Sequence, residues 1–341
     1  MRKIVTLILV LALLALAWLY SSRMPQQSAV EPTRLTINIV DEDAASSLIR
    51  VAQTAGYFHQ QNLEPTLKTF STGRQGLQDL LQNQQADYAV AYETPIVKAI
   101  GSGHALRLLT SLHTSTANTK LVFMGTQPTN PKAALRGARI GVTMGSSPEY
   151  TLSAYLLSLG LQADDIHWVN MGPEEIVQQA GNANLDGVVI WEPFYSKVLD
   201  KLDRAQQAYW QPEIGYYREF SFLVTDAARA KRQTEVTVRV LRAVYAAYLL
   251  YLNDRPRFLQ YNSEFPGIGR DVKTIAKDIQ NTQLQLGLTN LMRQELVAEE
   301  VYFCLHQVSC DDHAVERLHR AFETDALQVV VPELVTIRRV Q

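Results

Sequence analysis

Cysteine is almost absent from this chain: Cys304 and Cys310 are the only two in 341 residues. That scarcity excludes a network of cross-domain staples, and with no cysteine near the amino terminus it excludes a lipid-modified cysteine there as well. The spacing Cys304-x-His306, then Cys310 and His313, fits no zinc pattern, so no metal is expected. In an exported chain an isolated pair reads as a disulfide, here one closing a small loop over residues 305–309. An excess of charge is missing too: 32 Lys and Arg stand against 34 Asp and Glu, for a formal net charge of −2. No basic bias points to nucleic acid and no acidic tail points to disorder. What the chain does have is 47% hydrophobic residues over 341 positions, enough for two ordinary domains and a substantial core.

The first 23 residues differ from the rest. Met1-Arg2-Lys3 is a basic start, residues 4–20 are apolar except for Thr6, and Ser21-Ser22-Arg23 returns to polarity. This is an export signal, either cleaved or kept as an anchor. Ala15-Leu16-Ala17 is an acceptable cleavage site, but Trp18-Leu19-Tyr20 carries the apolar run past it, to about 17 residues, the lower limit for a membrane-spanning helix. An anchored domain is slightly favoured, with Arg2 and Lys3 on the inner side and the remainder exported. Residues 24–34 read as a linker.

One phrase is written twice. Asp87-Tyr88-Ala89-Val90-Ala91-Tyr92-Glu93-Thr94-Pro95 is echoed by Asp186-Gly187-Val188-Val189-Ile190-Trp191-Glu192-Pro193. Each copy is an Asp, a short apolar run suited to a strand buried on both faces, then an aromatic, a Glu and a Pro that ends the strand. Upstream of each lies a strand (35–40 and 138–143) and a serine-marked helix start, Ser46-Ser47 and Ser146-Ser147. Both halves therefore read as strand, helix, strand, helix, strand, the grammar of a doubly wound, mostly parallel sheet. Ligands of open α/β sheets sit outside the carboxyl ends of the strands. Two such ends place Tyr92 and Glu93 opposite Trp191 and Glu192 across a shared cleft, with Asp41, Glu42, Ser46, Ser71, Thr72, Thr94, Ser146 and Ser147 on neighbouring loops.

The pattern predicts a first lobe over 35–115 and 220–341 and a second over 120–215, with 113–118 as the first crossing. A helix is expected over 76–85, and helices follow at 236–252, 271–280, 293–303 and 313–325. Residues 327–340 are β-branched and fit a strand or an ordered tail.

Several stretches in this order resemble the periplasmic solute-binding proteins of ABC importers in the nitrate, sulfonate and taurine group, which includes binders of thiamine-pyrimidine precursors. They are Ala55-Gly56-Tyr57-Phe58 with Asn62-Leu63-Glu64-Pro65, Gln85-Ala86-Asp87-Tyr88-Ala89, Leu135-Arg136-Gly137-Ala138-Arg139-Ile140-Gly141-Val142, Gly145-Ser146-Ser147, and Leu185 through Trp191-Glu192-Pro193-Phe194. The resemblance covers about residues 35–278. It implies a two-lobed periplasmic-binding-protein fold of the type 2 kind, closing by hinge motion on a small solute, at the outer face of the cytoplasmic membrane, with an ABC transporter permease or another membrane partner. The second role it leaves open is a membrane-held sensor.

Relatives on this fold that act as enzymes carry a Cys/His cluster in the first lobe. This chain has no cysteine there and no Ser–His–acid order, so neither catalysis nor a cofactor is expected. The acidic Asp41-Glu42-Asp43 and Glu93 depart from the group's usual neutral residues. Buried carboxylates need partners, and an amine- or pyrimidine-like solute stacked on Tyr92 or Trp191 would supply one. The helix starts at Ser46 and Ser146 favour an anionic or polar end on the same ligand.

Overall fold

The computed structural model describes residues 31–41, 43–212, 217–280, 282–306 and 313–337. The apolar start at 4–20, Glu42 and Cys310 lie outside that set. Among the described residues no helix is long and apolar enough to cross a membrane, and no cysteine is free. All that follows belongs to the unit Thr33–Gln341.

Among the described residues, eleven strands fall in two sheets. They are β1 (Thr33–Val40), β2 (Leu63–Phe70), β3 (Tyr88–Tyr92), β4 (Leu106–Ser115), β5 (Thr119–Met124), β6 (Arg139–Val142), β7 (His167–Asn170), β8 (Gly187–Trp191), β9 (Tyr209–Trp210), β10 (Glu219–Asp226) and β11 (Gln283–Gly287). The first sheet runs β11-β4-β10-β3-β1-β2 and the second β7-β6-β8-β5-β9. In the first, β1 to β4 point one way and β10 and β11 the other; in the second, only β5 is reversed. Most strands of each sheet thus point the same way, as the repeated grammar predicts. The order β2-β1-β3-β10-β4 matches β7-β6-β8-β5-β9 position by position. In both, the reversed strand is the first one formed after the chain crosses over, β5 after 116–118 and β10 after 211–218.

Helices between the strands cover the faces, among them α1 (Ser47–Thr54), α2 (Gly73–Gln78), α3 (Glu93–Gly101), α4 (Ser147–Ser158), α5 (Phe194–Arg204), α6 (Thr234–Asn253) and α7 (Asn290–His306). Both faces of β8 are buried. Val188 and Ile190 pack with Val198 and Leu202 of α5, while Val189 joins Leu152 and Leu156 of α4. Two-sided burial is why this strand is an unbroken apolar run. A Cβ on Gly187 would meet the Phe123 ring at 2.5 Å, so this position admits only glycine without movement.

The repeated Asp proves to be a bracket for the fold. Asp87 accepts from the Thr36 N–H at 2.5 Å while its own N–H donates to the Thr36 carbonyl at 2.8 Å. Asp186 does the same with Arg139, at 2.8 and 2.9 Å. Each thereby ties the start of the third strand of its unit to the first.

Three expectations need correction. Residues 113–115 belong to β4 and are buried, because β10 pairs with β4 as far as Glu219↔Ser115; only 116–118 form the crossing. The helix expected over 76–85 begins at Gly73, turns to a wider π turn at Asp79–Asn83, and stops where Gln84 adopts a left-handed backbone. The carboxyl-terminal segment starts as a helix, Asp325–Val330, and meets the rest through a bridge between Leu288 and Val335.

Candidate ligand-binding cleft

The ends of β3 and β8 do meet. Tyr92 and Trp191 line one small space of about 30 Å³ together with Asp43, Asn118, Thr119 and Glu219. Thr72, Ser146 and Ser147 line it too, and Gly73 lets α2 begin against the end of β3, where a Cβ would lie 3.2 Å from the Ala91 Cα. About 10–15 Å³ accommodates one water molecule, so this space as it stands is too small for an organic solute.

Two of the lining carboxyls are deeply buried. Asp43 accepts from the Ala45 N–H at 2.7 Å and from the Tyr92 hydroxyl at 2.8 and 2.9 Å. Burial pushes its carboxyl above the ordinary range, against the pull of those hydrogen bonds and of the Arg50 charge. Arg50 is itself buried: it donates to the carbonyls of Asp43 and Val40 and to Asn262, and desolvation lowers its guanidinium to about 10. Glu219 accepts from the Thr119 hydroxyl at 2.9 Å. Burial first, and then the charge of Glu93, drive its carboxyl well above the usual range. Its Oε1 is buried without a hydrogen-bond partner among the described residues, as are both ring nitrogens of His113, whose Nε2 lies 3.7 Å away. Desolvation holds His113 neutral, down to about 3. An unpaired buried acceptor costs roughly 1–3 kcal/mol.

The two lobes touch through contacts from the first sheet's helices to α4 and the loop before it. Lys98 of α3 pairs with both oxygens of Glu149 at 2.8 Å, and Arg74 of α2 donates to the Met144 carbonyl at 2.6 Å. Glu93 is buried, accepts from the Tyr217 hydroxyl, from the Phe220 N–H at 2.8 Å and from Ser147, and is raised by burial. Tyr150 of α4 packs edge-on against Tyr217 and Tyr302 at 5.5 and 5.4 Å.

Of the residues singled out in the sequence, Tyr92, Trp191, Thr72, Ser146 and Ser147 lie at the space. The others are placed elsewhere. Asp41 is exposed, beside Phe265 and Pro266. Ser46 is spent on the Val40 N–H, Thr94 donates to Glu299, and Glu192 accepts from Ser196 in the first turn of α5. Ser71 is exposed at a separate surface pocket, and Glu42 lies outside the described residues. The anion-favouring helix starts are also answered from within. Asp43 takes the Ala45 N–H, and Glu149 takes the Gly145 N–H at 2.5 Å. Sequence reasoning missed Asp43 as a lining residue, although it stood in the acidic run, and it missed Asn118, Thr119 and Glu219. These flank the two crossings, and no local motif marks them.

Two sheets of equivalent order, joined by two crossings and closed on a space at their strand ends, define the two-lobed periplasmic-binding-protein architecture. Solved structures agree. The aliphatic sulphonate binding protein of Escherichia coli superposes with a TM-score of 0.69 at 18% identity, over 87% of this chain and 100% of that one. The alkanesulfonate-binding protein of Xanthomonas axonopodis pv. citri gives 0.67 at 19%, over 85% and 99%. The nitrate-binding protein of Synechocystis PCC 6803 gives 0.65 at 11%, over 89% of each. The model of the NMT1/THI5-like family matches residues 45–256, and the chain belongs to that family. No curated protein matches it in sequence.

Proposed function

We propose that this chain is an extracytoplasmic solute-binding protein that closes its cleft on a small organic, nitrogen-bearing solute and delivers it to an ABC importer. The observation that carries this reading is the joint lining of one space by Tyr92 and Trp191, from two sheets, with the carboxyls of Asp43 and Glu219. The importer partner is carried over from the sulfonate- and nitrate-binding proteins that share the fold. Their anions are not carried over. The one basic residue at the space, Arg74, has a guanidinium nitrogen committed to Met144, and the N–H groups of Ala45 and Gly145 are met by the chain's own carboxylates.

We further propose that residues 4–20 hold the domain at the membrane and that Cys304 and Cys310 are bridged. Native mass spectrometry of the protein exported by its own host tests all three points. The expected spectrum has an intact amino terminus, a mass two hydrogens short of the dithiol, and a retained small molecule with a basic nitrogen. A retained sulfonate or nitrate would overturn the ligand class. A chain starting after residue 17 would overturn the anchor, and two alkylatable thiols would overturn the bridge.

A further inference from the structure

Glu219 is the first residue of β10, where the chain re-enters the first sheet. Its Oε2 accepts from the Thr119 hydroxyl at 2.9 Å, and the Asn118 side chain also stabilises the ionised carboxyl, both residues lying beside the other crossing. Its carbonyl accepts from the Thr114 hydroxyl at 3.1 Å. One carboxyl oxygen thus fastens the two crossings together, while Oε1 has no hydrogen-bond partner among the described residues, on a residue only 1% exposed that lines the ligand space. On the reading that a small organic solute fills the cleft, we propose that Glu219 is its specificity-determining residue, taking with Asp43 the N–H groups of a planar nitrogenous cation.

Four features favour this class. The free atom is an acceptor once ionised, and its neighbour His113 stays neutral. Asp43 brings a second carboxyl to the same space, and Tyr92 and Trp191 bring flat apolar surfaces. Because Glu219 also ties the crossings, a ligand bonded to it stiffens the segments on which closure turns. A cation at this carboxyl displaces the proton that burial favours there. The ionisable groups facing Glu219 are Asp43, Tyr92, Glu93, His113 and Tyr217, and none of them supplies a positive charge.

The probe is benzamidine, a planar cation, compared by calorimetric titration at neutral pH with benzenesulfonate and benzyl alcohol. The wild-type protein is expected to bind benzamidine best and to release a proton, read from the dependence of the heat on buffer ionisation. Glu219→Gln is expected to weaken benzamidine binding at least about tenfold, the scale of one charge-assisted hydrogen bond, and to abolish the proton release. Unchanged affinity in Glu219→Gln overturns the proposal and leaves the solute-binding reading intact. Preference for benzenesulfonate overturns the assigned charge. Binding of none of the three overturns the solute-binding reading itself. Should Glu219→Gln fail to fold, the wild-type proton count decides, because binding without proton release contradicts the role given to Glu219.

Discussion

At the scale of single residues, the doubled phrase carried two kinds of information, and only the structure separates them. Asp87 and Asp186 bracket the fold, Tyr92 and Trp191 line the space at the strand ends, and the two glutamates part company: Glu93 reaches the opposite lobe through Ser147 while Glu192 stays with its own helix. The one-residue difference between Tyr88 and Gly187 also has a cause, since Phe123 lies across the second copy. Gly187→Ala is therefore expected to destabilise the protein by about 1–3 kcal/mol, the usual range for overpacking a buried site, in urea unfolding. The corresponding change at Tyr88 would instead leave a hole. What the sequence concealed at this scale is partner choice. Ser46, Thr94 and Glu192 have the right chemistry for a ligand, but each meets a nearer partner that no spacing rule displays. Glu219 was invisible for the opposite reason, because its neighbours Thr119 and Asn118 are 100 residues and more away along the chain.

At the scale of elements, period and composition located strands well, because burial on both faces writes an unmistakable apolar run. Ends were harder. Residues 113–115 look like a polar connector, yet they continue β4 because β10 pairs along them and covers their polar atoms. Helices α3 and α7 show how elements store charge. Glu299 of α7 is buried, accepts from Thr94 of α3, and is raised well above the usual range by burial and then by the charge of Glu93. The folded state therefore favours the protonated form. Stability from this group is full below the unfolded carboxyl value and is lost as pH rises through the elevated folded one. His113 acts in the opposite sense: held near 3, it withdraws stability as pH falls below its ordinary 6.5. Glu299→Gln, which cannot ionise, is expected to melt at or near the wild-type temperature at pH 5 and higher at pH 8, by roughly 2–4 °C for each kcal/mol recovered. A gap that is equal at both pH values in thermal melts would contradict this assignment.

At the scale of the whole molecule, the two-lobed plan was legible because it is internally repeated, and a repeat is readable without knowing any contact. The cleft was legible only as a location, since its chemistry is assembled from both lobes and both crossings. The strand order has a consequence for how such a chain is made. Every strand of the second sheet lies between Thr119 and Trp210, in one uninterrupted stretch, whereas the first sheet lacks β10, its central strand between β3 and β4, until the chain has reached Asp226. A polypeptide emerging amino terminus first can therefore complete the lobe that it starts second before the lobe that it starts first. Until then the first four strands wait with an open seam, and the seam is filled by the very strand that begins with Glu219. The inner seam of the first sheet thus closes at the residue that fastens the two crossings, so the hinge is set only once both lobes have their full complement of inner strands, with edge strand β11 still to come.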